Sequence, residues 1–328
     1  MPQSMIALFG GFGPDLLGRE VPVRKPGPTQ VLVRARAVAL NNVDPQMLAQ
    51  AYDVSTGTGT EYLAGYEFAG DVVSVGPDVK GVEVGRRVMG TTPRSFAQYV
   101  ACDHRHLIRV PDGLGYEQAC ALTTGLLTEY GALRRGGFVR GSSVAVTGAT
   151  SGIGLIGIQV AKVLGATTVI GTTRSQARAR LLRHAGADVA IVTSTQAVSQ
   201  ALLDATGGRG VDMVLDHVGG QILASCLPGT GDGGSVINIG RLGGAEALID
   251  LDALSHRHLT LRGVSFGFDP PEQIGDVIAA LAHDVMPAVA DGRIRPVIDA
   301  VLPFDQANDA IARVRGGRAE GKVVLTMS

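Results

Sequence analysis

The residues best suited by type and spacing to do chemistry run from Val144 to Gly154, Val-Ala-Val-Thr-Gly-Ala-Thr-Ser-Gly-Ile-Gly. An apolar run leads into glycines at 148, 152 and 154, and an apolar, helix-compatible stretch continues to 164. A strand that enters a glycine-rich turn and leaves as a helix lets the backbone approach a pyrophosphate closely. The N–H groups and the positive dipole end of the helix then meet the phosphate charge. The spacing is G-x-x-x-G-x-G rather than the common G-x-G-x-x-G, so the strand–turn–helix placement carries the assignment. Thr150, Ser151, Gly152, Ile153 and Gly154 are therefore expected to bind the phosphates of a dinucleotide.

The kind of dinucleotide follows from charge. Proteins that take NAD place Asp or Glu at the end of the second strand, about 20 residues on, to hold the ribose 2′-hydroxyl. Here that place reads Gly171-Thr172-Thr173-Arg174-Ser175, with Arg178 one turn later and no carboxylate. Arg174 and Arg178 suit a 2′-phosphate, and the hydroxyl of Thr172 or Thr173 can donate to it. The expected cofactor is NADPH.

The elements that must position these residues are legible in the surrounding texture. Residues 1–120 hold short β-like runs, such as 31–35, 71–75, 87–89 and 96–100, separated by Gly/Pro turns. That pattern predicts a compact β-rich domain. From 121 to 266 the pattern becomes strand, helix, strand. Strands are predicted at 143–147, 168–172, 189–192, 211–216, 235–239 and 260–265, and helices at 152–164, 175–185 and 195–205. This is the signature of a six-stranded, doubly wound parallel sheet. Ser175 is expected to cap its helix and Gly186 to end it, as Gly165 ends the one before. Residues 267–328 return to a mixed pattern, with helices predicted at 271–283, 284–291 and 305–315. A closing strand over 322–326 is expected to pair back onto the first region, so the nucleotide domain is inserted inside the other one.

Composition excludes several classes. With 29 basic and 30 acidic residues, a net charge of −1 and no basic block, nothing suggests nucleic acid or an anionic membrane as a partner. No apolar run reaches the ~18 residues of a spanning helix, and the first residues do not read as a secretory signal. The three cysteines are scattered, which reads as reduced thiols in the cytoplasm rather than a disulfide framework. None of the six tyrosines has a lysine four residues later, which argues against a short-chain dehydrogenase despite the similar glycine loop.

Five segments taken together carry a resemblance: Asn41-Asn42-Val43-Asp44; Gly65-Tyr66-Glu67-Phe68-Ala69-Gly70-Asp71-Val72; Ala121-Leu122 through Thr128-Glu129-Tyr130; Asp216-His217-Val218-Gly219-Gly220; and Gly316 through Gly321-Lys322-Val323-Val324-Leu325. Over essentially the whole chain they resemble the medium-chain dehydrogenase/reductase superfamily, and within it the zinc-free quinone oxidoreductases (zeta-crystallin-like). The resemblance implies an α/β fold in which a Rossmann sheet is inserted into a GroES-like β-rich catalytic domain. In zinc-holding members a Cys stands at the place of Asn41, a His at that of Tyr66 and a second Cys near Thr124. The side chains present here are poor replacements. His104 and His106 have no third ligand nearby in the sequence and read as a turn pair.

The resemblance implies NADPH-dependent reduction of quinones, enones or enoyl thioesters. Without a Lewis acid, an already electrophilic π-system is the easier acceptor. Charge that hydride addition places on its carbonyl oxygen can be met by a few hydrogen-bond donors. Asn41 matches the family's active-site amide, Tyr52 an aromatic position that can stack on a flat substrate or donate a proton, and Thr128 a threonine near the nicotinamide. Gln46 stands where the family usually has a tyrosine. Asn238, Gly240, Ser265, Phe266 and Gly267 are expected to border the ribose and nicotinamide, and Lys322 to reach the pyrophosphate. The loop from Tyr52 to Tyr62, with Gly57 and Gly59, reads as a flexible gate. An enoyl-thioester reductase of a biosynthetic pathway and a non-catalytic NADPH-binding protein are the alternatives. An exposed apolar sixth strand predicts a homodimer.

Overall fold

A computed structural model describes residues 2–327 of the protein. They divide into two compact units, one of residues 2–124, 270–282 and 296–327, the other of residues 125–269 and 283–295.

The first unit is β-rich. Its strands before the nucleotide segment are β1 (Ser4–Gly10), β2 (Leu17–Pro22), β3 (Gln30–Leu40), β4 (Tyr52–Asp53), β5 (Thr58–Gly59), β6 (Tyr62–Leu63), β7 (Glu67–Val75), β8 (Arg87–Thr91), β9 (Tyr99–Asp103) and β10 (Leu107–Arg109). Helix α1 (Val43–Gln50) follows β3, and α2 (Tyr116–Arg135) follows β10. The expected run at 96–100 is shifted, because strand pairing begins at Tyr99, opposite Arg34. The eleven-residue β3 is the spine. It pairs with β7, with β9 and, antiparallel, with β18 (Lys322–Thr326), which also pairs in parallel with β17 (Ile298–Pro303). The closing strand thus returns to the first region as expected. Val31, Val33 and Val38 of β3 bury against Phe68, Val72, Val323 and Leu325, while Arg34 and Arg36 stay half-buried on the other face. A register shift between Ala35 and Ala37 in the pairing with β7 changes the alternation, which lets Val38 join Val31 and Val33 in the core.

The second unit holds a six-stranded, all-parallel sheet: β11 (Ser143–Val146), β12 (Thr168–Thr173), β13 (Val189–Val192), β14 (Val211–Asp216), β15 (Thr230–Asn238) and β16 (Thr260–Gly263). Their spatial order is β13-β12-β11-β14-β15-β16, a doubly wound Rossmann arrangement whose direction reverses between β11 and β14. Every residue of β11 is buried, as expected of a strand with both faces covered. Helix α3 (Gly152–Leu164) ends on Gly165 at φ +94, and α4 (Ala179–His184) is followed by Gly186 at φ +104. One expectation fails locally: Ser175 makes no side-chain capping bond. Its own N–H donates to Thr173 Oγ1 at 3.1 Å, because the chain first takes a 3-10 turn over Gln176–Arg178. No helix among the described residues is long and apolar enough to cross a membrane.

Candidate active site

In the second unit the glycine loop leaves β11 at the reversal point, where ligands of doubly wound sheets bind. Gly148 takes φ +56, and its N–H donates to Thr172 Oγ1 at 3.1 Å. Ser151 caps α3, its Oγ accepting from the N–H of Gly154 at 3.1 Å. A Cβ on Gly154 would stand 2.7 Å from Ala149 Cα, so the helix can begin this close to the turn only with glycine there. Thr150, Gly152 and Ile153 keep partial exposure at this helix start.

Asp216, the last residue of β14, ties the strand ends together. Its Oδ1 accepts from Thr147 Oγ1 at 2.7 Å, and its Oδ2 accepts from the Gly219 N–H and from Asn238 Nδ2, both at 2.9 Å. Asn238 also donates to the Gly240 carbonyl at 3.0 Å, so its amide donors serve the rim of the sheet. Gly240 approaches the backbone of His217 so closely that a Cβ would lie 2.4 Å from the His217 carbonyl oxygen. At the end of β12, Thr173 is buried, Arg174 is exposed, and Arg178 is half-buried on the 3-10 turn. Thr128 is buried on α2. Beyond β16, Ser265 is half-buried and Gly267 exposed, while Phe266 packs on Gly131 with the Arg135 guanidinium 4.6 Å from its ring centre.

A buried ion pair in this unit escaped the sequence reading. His217 Nε2 lies 2.7 Å from Glu129 Oε1, with the glutamate fully buried and without in-line hydrogen-bond geometry. Burial drives the imidazole towards neutrality, and the Glu129 carboxylate more than offsets this, holding the His217 pKa above its ordinary value. His217 also touches the space beside Gly148, placing the pair under the phosphate loop. The signal in the sequence was a charged residue, Glu129, among the apolar residues of the α2 stretch.

In the first unit, Asn41 follows the last residue of β3, and its amide sits in a buried polar cluster. Lys322 Nζ donates to Asn41 Oδ1 at 2.8 Å and to Glu67 Oε1. Asn41 Nδ2 donates to the same carboxyl oxygen at 2.9 Å, and the Thr124 N–H donates to Glu67 Oε2 at 2.8 Å. Lys322 is 3% exposed and Glu67 0%. The Lys322 ammonium is thus engaged by two partners inside this cluster. Beside it, Asp44 is buried and accepts the Asn41 N–H. Burial pushes the Asp44 carboxyl up to about 7, against the pull of that N–H and of Lys322. Tyr52 is half-buried on β4, which pairs with β5, so the expected gate carries a two-stranded ribbon.

The donor set around Asn41 does not fit a zinc ion. An amide, a phenol (Tyr66, whose hydroxyl donates to Met47 Sδ at 2.9 Å) and a threonine stand where soft or imidazole ligands are needed, and an ammonium already neutralises Glu67. His104 and His106 are spent on the carbonyl oxygens of Thr29 and Pro271, each at 2.9 Å. Among the described residues no three His, Cys, Asp or Glu side chains converge as a metal group.

Two family models match the chain: the alcohol dehydrogenase GroES-like domain over residues 27–140 and the zinc-binding dehydrogenase over residues 152–283. A quinone oxidoreductase of Pseudomonas aeruginosa is 30% identical over 98% of this chain and 98% of its own. A 2-methylene-furan-3-one reductase of Solanum lycopersicum is 30% identical over 90% of this chain and 71% of its own. The structure of a mycobacterial quinone oxidoreductase superposes with a TM-score of 0.85 at 26% identity, covering 99% of this chain and 100% of that one.

Proposed function

The chain belongs to the medium-chain dehydrogenase/reductase superfamily and its quinone oxidoreductase-like family, and we propose that it is a zinc-independent, NADPH-dependent reductase of quinones or α,β-unsaturated carbonyl compounds. It is an oxidoreductase, and a nicotinamide cofactor goes with that membership. When bound, the nicotinamide supplies the hydride.

The observation that carries the zinc-independent reading is the cluster of Asn41, Glu67 and Lys322, in which an ammonium supplies the positive charge beside the family's active-site amide. A conjugated carbonyl or quinone delocalises incoming charge onto oxygen, where a neutral hydrogen-bond donor suffices. The names of the relatives point the same way, one a quinone oxidoreductase and one a reductase of a 2-methylene-furan-3-one. In this reading Asn41 bonds the substrate carbonyl, Tyr52 stacks on a flat substrate, and Thr128 serves the nicotinamide side. Thr150 to Gly154 receive the pyrophosphate, and Asn238, Gly240 and the Ser265–Gly267 turn border the ribose and nicotinamide.

NADPH is preferred to NADH because the end of β12 offers Thr173, Arg174 and Arg178 and no carboxylate to repel a 2′-phosphate. We also take the protein to act as a homodimer in the cytoplasm. The edge strand β16 is exposed along its whole length, and Leu261 on it is 41% exposed.

The test is NADPH oxidation, followed at its nicotinamide absorbance, against an ortho-quinone, a para-quinone, an alkyl enone, an enoyl thioester and a simple aldehyde, with a chelator throughout. Turnover of a quinone or enone is expected. Turnover that the chelator abolishes, or reduction of the aldehyde alone, would overturn the proposal.

A further inference from the structure

Resting on that reductase reading, we propose that Lys322 and Glu67 are positioning residues that lock the Asn41 carboxamide in one orientation, so that Asn41 meets the substrate's carbonyl oxygen as a hydrogen-bond donor.

A carboxamide looks nearly symmetric, and its partners decide which end is oxygen. Asn41 has two partners of opposite and unambiguous kind. The Lys322 ammonium can only donate, and it stands 2.8 Å from Oδ1. The Glu67 carboxylate can only accept when ionised, and it stands 2.9 Å from Nδ2. Rotating the amide by half a turn would set its NH2 group against the ammonium and its oxygen against the carboxylate. Both hydrogen bonds would be lost and two repulsions made.

The clamp itself is rigid. Glu67 has both oxygens occupied, Oε1 by Lys322 and Asn41 and Oε2 by the Thr124 N–H. The three side chains come from adjoining strands in the order β7-β3-β18. Glu67 opens β7, Asn41 follows β3, and Lys322 opens β18, one step beyond the Val323–Leu40 pair. The backbone of Asn41 is pinned as well: its N–H donates to Asp44 Oδ2 at 2.6 Å, and its carbonyl accepts the Asp44 N–H at 3.0 Å.

What these bonds leave on the amide nitrogen is one N–H. An ammonium on Oδ1 draws electron density from the amide and strengthens that remaining donor. In reduction of an enone, hydride added at the β-carbon would shift the C=C electron pair into the bond between the α-carbon and the carbonyl carbon and the C=O pair onto oxygen, leaving an enolate. Water then gives the α-carbon its proton, and the nicotinamide is the group oxidised. Asn41 keeps both protons throughout and stabilises the charge on oxygen, as donors of an oxyanion hole do.

The experiment compares wild type with Asn41→Ala, Lys322→Met, Lys322→Arg and the double variant Lys322→Met/Glu67→Gln, which removes both charges together. Three quantities are read: kcat and KM for an enone, melting temperature, and the affinity for para-nitrophenolate, an unreactive oxyanion followed by its absorbance shift. For the double variant and for Asn41→Ala, kcat is expected to fall about 10–100-fold, with enone KM within threefold, and phenolate affinity to weaken by a similar factor. Lys322→Arg, which keeps a donor, should recover most of both. A folded double variant with kcat and phenolate affinity within twofold of wild type overturns the proposal. Should the double variant not fold, Lys322→Met alone decides by the same criteria. Absence of enone turnover by the wild type would count against the reductase reading, and the phenolate titration would still judge the clamp.

Discussion

Asn41 donates its backbone N–H to Oδ2 of Asp44 at 2.6 Å inside the turn that joins β3 to α1. That bond and the Lys322 ammonium lower the Asp44 pKa less than burial raises it, with Glu67 adding to the rise, and the carboxyl ends at about 7 from an ordinary 3.8. Asp44 in turn adds to the raised pKa values of Tyr62 and Tyr66, which burial raises first. A carboxyl raised in the folded state binds its proton more tightly there than in the unfolded chain. Its contribution is therefore fully present below about pH 4 and is lost as pH climbs through about 7. Asp44→Asn stays neutral and should lack this slope. Between pH 5 and pH 8 the wild type should lose about 2–3 kcal/mol relative to the variant in urea unfolding. Parallel pH profiles would refute the assignment.

The His217–Glu129 pair has the opposite chemistry and the same direction. Because the His217 pKa is raised, the stabilisation is fully present below about pH 6.5 and fades as pH rises through the raised value. Glu129→Gln should destabilise the protein by about 3–5 kcal/mol at pH 6, the cost of stripping one partner from a buried pair. The gap to wild type should narrow at pH 9, and a constant gap would show that the imidazole does not carry the charge.

Arg174 is exposed where β12 ends, free of the constraints of the core. Arg174→Ala should weaken NADPH binding by about 10–100-fold, the loss of a charge-assisted contact, and leave NADH nearly unchanged. Fluorescence titration with both cofactors reads this directly. Equal loss for both would remove Arg174 from the 2′-phosphate.

The edge strand β16 offers unpaired backbone groups and an exposed Leu261. Sedimentation should give a dimer for the wild type, and Leu261→Lys should shift it towards monomer, since a charge on an edge strand opposes strand pairing. A wild type that sediments as a monomer at every concentration would contradict the dimer.

Much of the fold was readable from the chain because it depends on near neighbours. The run Val144–Val146 and the glycines at 148, 152 and 154 specify a strand, a turn and a helix within a few residues of each other. Gly165 and Gly186 end their helices for equally local reasons, and the closing strand announces itself by its apolar run. Ser175 is a local failure, where the Thr173 hydroxyl competes for the backbone and a 3-10 turn takes the place of the expected helix start.

Side-chain partners depend on something no local pattern contains. Asn41 and Lys322 are 281 residues apart, and Glu67 and Lys322 are 255 apart. Only the register that sets β7, β3 and β18 side by side brings them together. From sequence alone Lys322 read as a phosphate ligand and Glu67 as a motif letter. Burial turns them into a charge pair, because an ammonium and a carboxylate taken out of water must satisfy each other. The sequence by itself therefore determined which elements form and where a dinucleotide's phosphates can meet a helix. Tertiary structure alone decided which charges are buried against which, and so how Asn41 is held.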